Sequence, residues 1–348
     1  MIGSAFKGLG RGFAESLFQS QASPFIGLFI GILATGLIQS SSTTTSLVVG
    51  MVAAGTFGND PKLAVAAAVP YIMGANIGTS ITNTIVSLGH IVNREEFKRA
   101  FSASVVHDFF NILAVVVIFP FEVIFGVISS AAYSLSSVLV GTGGGTFTSP
   151  VKMITKPTVK WIEALVQKQT IIDSDVLLLF AALSFLFFSI RNLTKLIKSL
   201  VMLRLQAFFD THIFRTTLRA MFFGVIITIL VQSSSITTSL VIPLAGAGIL
   251  NLRQIFPYTL GANIGTTVTS LLASMVSGTI APLAVALSHL IFNILGIGVL
   301  WPIKKVREIP IHLAEWFSDL ATKNKLYPLL YIFIVFFVIP LSLISIVR

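Results

Sequence analysis

Gln39-Ser40-Ser41-Ser42-Thr43-Thr44-Thr45-Ser46-Leu47-Val48 returns 193 positions later as Gln232-Ser233-Ser234-Ser235-Ile236-Thr237-Thr238-Ser239-Leu240-Val241. Each copy sets a dense run of hydroxyls between apolar segments. Before the first copy, Pro24 to Ile38 is apolar but only 15 residues long. Leu47 to Ala54 resumes the apolar character, and Gly55 to Lys62 reads as a turn. Spanning a bilayer as a helix takes about 20 residues. The pattern therefore predicts a re-entrant hairpin or a broken helix, a backbone stable at membrane depth only where it is buried in protein or lines a cavity.

The composition agrees with a membrane protein. Of 348 residues, 55% are hydrophobic and 10% charged, against about 25% charged in an average globular domain. Val176 to Ile190 with its flank, Phe101 to Ile128, Ala281 to Trp301 and Tyr327 to Val347 read as the clearest spans. The net charge of +10 fits the excess of Lys and Arg in cytoplasmic loops. It is not clustered with aromatics as a nucleic-acid surface would be. The absence of cysteine removes disulfides, thiolate metal sites and thiol catalysis. Residues 1–23 read as an amphipathic lead rather than a signal peptide, because Lys7, Arg11 and Glu15 interrupt the apolar positions.

The chain is duplicated. Gly31 and Gly224 share the 193-residue offset of the hydroxyl runs. Gly74-Ala75-Asn76-Ile77-Gly78-Thr79 returns 187 positions on as Gly261-Ala262-Asn263-Ile264-Gly265-Thr266. His107 to Asn111 returns as His289 to Asn293 at an offset of 182. The basic stretch Arg94–Arg99 marks a cytoplasmic loop, as does Arg191–Arg219, whereas Val276-Ser277-Gly278-Thr279 carries no charge and falls outside. The same element thus ends on opposite sides in the two copies, as in inverted-topology repeats of secondary transporters. The expected architecture is an all-α polytopic membrane protein of two such repeats, each with a re-entrant helical hairpin. Repeat 1 covers 24–128 and repeat 2, with a preceding span, 176–307. An extracytoplasmic Ser/Gly/Thr/Pro-rich linker covers 129–175, and an interfacial segment with a last span covers 308–348.

Two hairpin tips meeting near the midplane offer helix N-termini, hydroxyls and carbonyls. The N-termini suit an anion and the oxygens suit a hard cation such as Na⁺. Gly-Ala-Asn-Ile-Gly-Thr has the composition of a helix start, with Asn76 and Asn263 as caps and Thr79 and Thr266 as oxygen donors; small-residue helix packing is the competing reading. His107 and Asn111 share a helix face, as do His289 and Asn293, with the histidines structural. Asp108 lies about nine residues into a helix starting near Phe101, roughly 14 Å deep. An ionisable residue there marks function, and its counterpart is Leu290. The candidate sodium ligands are Gln39, Gln232, Ser233, Thr266, Asn76, Asn263, Thr79, Asp108 and Asn111.

The paired Gln-Ser-Ser-Ser and Gly-Ala-Asn-Ile-Gly-Thr motifs, with Val106-His107-Asp108-Phe109-Phe110-Asn111, closely resemble the type II sodium-dependent phosphate cotransporter family. The resemblance runs from about Ser4 to the last span. It implies Na⁺-driven uptake of HPO₄²⁻ across the inner membrane without ATP or another cofactor, with phosphate on Ser40, Ser41, Ser233 and Ser234. It implies one sodium near Gln232, Ser233 and Thr266. Family members with Asp at position 108 move three Na⁺ and net charge; those with Gly there are electroneutral. Ser102, Ser104, His90 and Asn93 stand where animal members with the Asp carry Ala, Ala, Gln and Asp, which bears on the third sodium site.

Three other functions compete. A serine hydrolase needs an activated nucleophile, and no Gly-x-Ser-x-Gly occurs. A passive anion channel shares the polar hairpins. A transporter of arsenate, sulfate or a small carboxylate is the runner-up.

Overall fold

The computed structural model describes residues 23–139, 213–275 and 279–347, with scattered positions between 157 and 184. The described residues form α1 (Pro24–Ile38), α2 (Ser41–Ala53), α3 (Pro61–Gly78), α4 (Ile81–Ser87), α5 (Arg94–Phe125) and α6 (Val127–Leu139). There follow α7 (Thr217–Val231), α8 (Ser234–Gly246), α9 (Leu252–Met275), α10 (Ile280–Leu300), α11 (Lys304–Lys323), α12 (Tyr327–Phe333) and α13 (Ile339–Val347). Among the described residues, four segments are long and apolar enough to cross a membrane: Pro61–His90, Arg94–Phe125, Ile280–Leu300 and Tyr327–Ile346. Three match expected spans. Pro61–His90 was not expected, because its Gly, Asn, Ser and Thr residues dilute the apolar signal. Most of Val176–Ile190, residues 1–22 and most of the linker lie outside the described residues.

Local chemistry sets the helix starts. Asp60 accepts from the backbone N–H groups of Lys62 and Leu63, with Pro61 at the first helical position, where its missing N–H costs nothing. Asn93 caps α5 through Glu95 and Glu96. That helix therefore begins at Arg94 rather than near Phe101: the charged stretch is its first turns, not a loop. Asp108 stands fourteen residues in, roughly 21 Å along the axis. Pro120 does not end α5, which reaches Gly126 at φ 61°. The expected linker also begins differently. Residues 127–139 form α6, whose first N–H groups at Ile128 and Ser129 donate to the buried Glu122 carboxylate at 2.6 and 3.2 Å. Ile128, Ala132 and Ser136 are buried on one face of α6, which packs on α10 and α3.

Glycines bring two helix pairs into close register. A Cβ on Gly31 would stand 2.2 Å from the Tyr71 carbonyl oxygen, and one on Gly74 1.9 Å from that of Leu28. The second copy repeats the crossing: Gly224 would meet the Tyr258 carbonyl oxygen at 2.1 Å and Gly261 that of Met221 at 1.9 Å. Only hydrogen fits at these four positions. The Gly-Ala-Asn-Ile-Gly-Thr stretches are therefore packing surfaces, not helix starts: the first closes α3 and the second lies inside α9.

The halves interlock. α2 packs on α9 and α10, while α8 packs on α4 and α5. At one end of the molecule, Arg99 donates through Nε and Nη2 to the Gly246 carbonyl at 3.1 and 2.8 Å. There, Lys98 pairs with Asp319 at 2.5 Å. At the other end, the loop after α2 and Thr279–Pro282 line a cavity of about 510 Å³, and Phe25 at the start of α1 meets Phe119 at 5.1 Å.

Candidate binding site

The two hydroxyl runs fold alike. α1 ends at Gln39 in the left-handed conformation (φ 56°, ψ 32°), and α7 ends at Gln232 with φ 57° and ψ 30°. They are the only non-glycine residues with positive φ among the described residues, a conformation that costs on the order of 1 kcal/mol or more. Hydrogen bonds offset that strain. The backbone N–H of Gln39 donates to the Thr35 carbonyl at 2.7 Å, and that of Gln232 to the Thr228 carbonyl at 2.7 Å. The Gln39 side-chain amide N–H donates to the Gly36 carbonyl and that of Gln232 to the Ile229 carbonyl. Their side-chain oxygens accept from Thr82 at 2.9 Å and Thr269 at 3.2 Å, two threonines 187 positions apart.

The next residue turns the chain. Ser40 and Ser233 are extended, both at φ −158°, and cap α2 and α8. The Ser40 hydroxyl accepts from Thr43 N–H at 3.2 Å and that of Ser233 from Ile236 N–H at 3.4 Å. Ser41 and Ser234 follow at the first helical positions, both buried. The N–H groups of the first helical turn have no intrahelical acceptor, so each tip offers backbone donors beside serine hydroxyls. No Lys or Arg belongs to either run. One turn before each Gln, the Thr35 and Thr228 hydroxyls are fully buried with no hydrogen-bond partner. They pack against Gly78 and Gly265, next to Thr79 and Thr266. Thr79 and Thr266 donate to the Ala75 and Ala262 carbonyls at 3.0 Å, leaving their lone pairs available.

A second polar cluster lies where the halves meet. Asn76 Nδ2 donates to Asn293 Oδ1 at 2.9 Å and Asn111 Oδ1 at 3.3 Å. Asn263 Nδ2 donates to Asn111 Oδ1 at 2.9 Å. Each repeated Asn carbonyl faces the other half's histidine: His107 Nε2 stands 2.6 Å from Asn263 Oδ1, and His289 Nε2 3.3 Å from Asn76 Oδ1. Because the amide oxygens only accept, Nε2 carries the proton in both rings. Asn76, Asn263 and Asn111 thus belong to a hub joining the halves.

Asp108 borders the second cluster through Ser80, which lies beside its carboxylate and 3.5 Å from His107 Nδ1. It is fully buried, and its Oδ2 accepts from the Tyr331 hydroxyl of α12 at 3.0 Å. Its Oδ1 has no hydrogen-bond partner. Asn83 of α4 accepts from Thr238 at 2.9 Å and Ser239 at 3.2 Å, tying the second tip to the first half. Sequence reasoning missed Thr82 and Thr269, and likewise Thr35 and Thr228. The repeat offsets carried a signal for all four. Asn83 and Tyr331 carry none: position 270 holds Ser, and Tyr331 lies beyond the duplicated blocks.

The family described as Na⁺/Pi-cotransporter matches residues 1–145 and 185–320. Sodium-dependent phosphate transport protein 2B of Homo sapiens is 31% identical over 434 aligned positions, covering 98% of this chain and 62% of that protein. Protein 2A of Ovis aries is 31% identical, covering 98% of this chain and 64% of its own length; protein 2B of Bos taurus is 32% identical, with 98% and 62%. The chain spans somewhat less than two thirds of these relatives. No solved structure matches.

Proposed function

The chain belongs to the Na⁺/Pi-cotransporter family, and on that premise we propose that it couples Na⁺ influx to uptake of inorganic phosphate by alternating access, as a multi-pass protein of the inner membrane. The observation that carries this reading is the matched geometry of the tips: a left-handed Gln, an extended Ser cap and a helix N-terminus, built twice without a fixed cation. Phosphate is bound by Ser40, Ser41, Ser233 and Ser234 and by first-turn N–H groups. Sodium is held among Gln39, Gln232, Ser233, Thr79 and Thr266, with the unpartnered Thr35 and Thr228 hydroxyls as added ligands. Both lone pairs of Asn111 Oδ1 are taken, so sodium at Asn76, Asn263 or Asn111 displaces an amide contact within the hub. Asp108 holds a further sodium through its unpaired oxygen.

Contacts at the two ends support an inverted arrangement. The loop from Gly246 to Arg253 lies with Arg99 and α11 at the basic end, which supports a second hairpin that enters and leaves on that side. The loop after α2 shares a cavity with the start of α10 at the opposite end, which supports reading the first hairpin as inverted relative to the second and both as re-entrant. The proposed repeats are 24–128 and 176–307, separated by a proposed extracytoplasmic linker.

A dianion stripped of water is very costly to bury. Without Lys or Arg in the tips, co-bound Na⁺ supplies the compensating charge, so phosphate and sodium bind with positive coupling, reciprocal by linkage. Proteoliposome uptake of labelled phosphate with and without an inward Na⁺ gradient tests the proposal. Concentrative uptake that needs Na⁺ and resists competition by sulfate and carboxylates is expected. Uptake indifferent to Na⁺, or dissipative flux alone, overturns it.

A further inference from the structure

α11 joins two membrane-length segments, Ile280–Leu300 and Tyr327–Ile346, at the basic end of the molecule. At 100° per residue its side chains fall into three sectors. Pro310, Ile311, Ala314, Ser318 and Ala321 are buried in the protein, chiefly along α5. Lys304, Glu308, His312, Glu315 and Asp319 form a polar sector. Ile309, Leu313, Trp316 and Leu320 form a third, apolar sector, with Ile309 43% and Trp316 59% exposed. A helix between protein and water needs only a buried and a polar sector. Leu326, Leu329 and Leu330 at the start of the last span are exposed as well, so the helix and the span that follows it both present apolar side chains outward.

Charge adds a second observation. All three acids of α11 are engaged: Arg253 holds Glu308 at 2.8 Å and Glu315 at 3.4 Å, and Lys98 holds Asp319 at 2.5 Å. Lys304, Lys305, Lys323 and Lys325 are exposed and have no ion-pair partner among the described residues, while Arg307 lies over the Trp301 ring at 4.9 Å. Free positive charge therefore stands at both ends of the helix.

We infer that α11 lies in the membrane–water boundary and recognises anionic phospholipid headgroups, its apolar sector sunk at the acyl boundary and its terminal lysines on the phosphates. A bilayer is favoured over a soluble acidic protein because the helix leads directly into a segment long and apolar enough to cross a membrane, whose first turns also expose apolar side chains. The seat of α11 reaches inward: Phe317 packs on Tyr331 at 4.9 Å, and Tyr331 donates to Asp108.

The chain has no cysteine, so single spin labels report depth in the full chain reconstituted in phosphatidylcholine–phosphatidylglycerol bilayers. Labels on Leu313→Cys and Trp316→Cys should collide with oxygen, and labels on Lys305→Cys and His312→Cys with a water-soluble nickel chelate. Chelate access at all four, or shielding of Leu313→Cys and Trp316→Cys from both reagents, overturns the placement. Lipid retained by the purified protein is measured by native mass spectrometry. The wild-type chain should keep phosphatidylglycerol over phosphatidylcholine. Each of Lys304→Gln, Lys305→Gln, Lys323→Gln and Lys325→Gln should lower that preference about fivefold. An unchanged preference in the fourfold variant, or displacement of the lipid by free glycerol phosphate, overturns the headgroup assignment. Neither readout uses transport, so failure here leaves the transport proposal standing.

Discussion

Asn111 and Asn293 occupy matching positions in the two repeats, yet the hub uses them unequally, and alanine substitution exposes the difference. Asn111 Oδ1 accepts from Asn76 and Asn263, and its amide donates to the Asn76 backbone carbonyl at 3.0 Å. Asn293 accepts one bond at 2.9 Å and donates one long bond of 3.4 Å. Interhelical side-chain bonds in membranes average about 0.6 kcal/mol. On bonds alone Asn111→Ala costs about 1.8 kcal/mol and Asn293→Ala about 1.2 kcal/mol. The remainder comes from what is left unpaired. Without Asn111, the Asn263 amide loses its acceptor, an orphan worth about 1–3 kcal/mol. Without Asn293, Asn76 Nδ2 keeps Asn111 at 3.3 Å. Asn111→Ala should therefore destabilise the protein by about 3–5 kcal/mol and Asn293→Ala by about 1 kcal/mol. Reversible unfolding in mixed micelles with increasing dodecyl sulfate measures both. Equal losses, or a larger loss for Asn293→Ala, would refute the account of the hub.

Ser41→Ala and Ser234→Ala should each cut Na⁺-driven phosphate uptake at least about tenfold, the scale of one charge-assisted hydrogen bond, with folding unchanged; normal uptake in both removes the serines from the site. Asp108→Gly should abolish any Na⁺-dependent phosphate current in voltage-clamped membranes while sparing part of the tracer flux, and a persisting current excludes the carboxylate from charge movement. Gly261→Ala drives a methyl to 1.9 Å from the Met221 carbonyl oxygen and should cost about 1–3 kcal/mol or more. Gly50→Ala, with nothing within 4 Å of its added methyl, should be neutral or stabilise by up to about 1 kcal/mol; micelle unfolding of the two variants side by side checks the crossing.

Duplication was legible because matched residues at constant offsets need no structural knowledge, and it led directly to the tips at Gln39 and Gln232. Gly-Ala-Asn-Ile-Gly-Thr leaves two readings open in the sequence because glycine serves a helix start and a close helix crossing equally well. The choice depends on what stands opposite, here the carbonyls of Leu28 and Met221, which sequence alone does not reveal. The start of α5 was misplaced because Arg94 to Arg99 reads as a charged loop, although Asn93 followed by Glu95 and Glu96 is a helix-start signal. Asn83 and Tyr331 were invisible for a different reason. Each serves one half only, so no repeat marks it, and each partner is more than 150 positions away.

Those one-sided residues bear on coupling. The tips and the Asn–His contacts recur in both halves, which on the proposed reading suits a phosphate shared by both. Asp108 breaks that symmetry, since Leu290 stands at its counterpart, and Tyr331 is supplied by the span beyond the second repeat. A buried carboxylate with one oxygen unpaired is expensive when charged, and a bound cation relieves it. On the proposed reading, a sodium at Asp108 therefore belongs to the first half and depends on the last span. Tyr331→Phe removes the one phenol bond to Oδ2, leaves more for the cation to relieve, and should lower the Na⁺ concentration for half-maximal uptake while leaving phosphate-tip variants such as Ser234→Ala no worse than before. A Tyr331→Phe protein with unchanged Na⁺ dependence would mean that the last span takes no part in coupling.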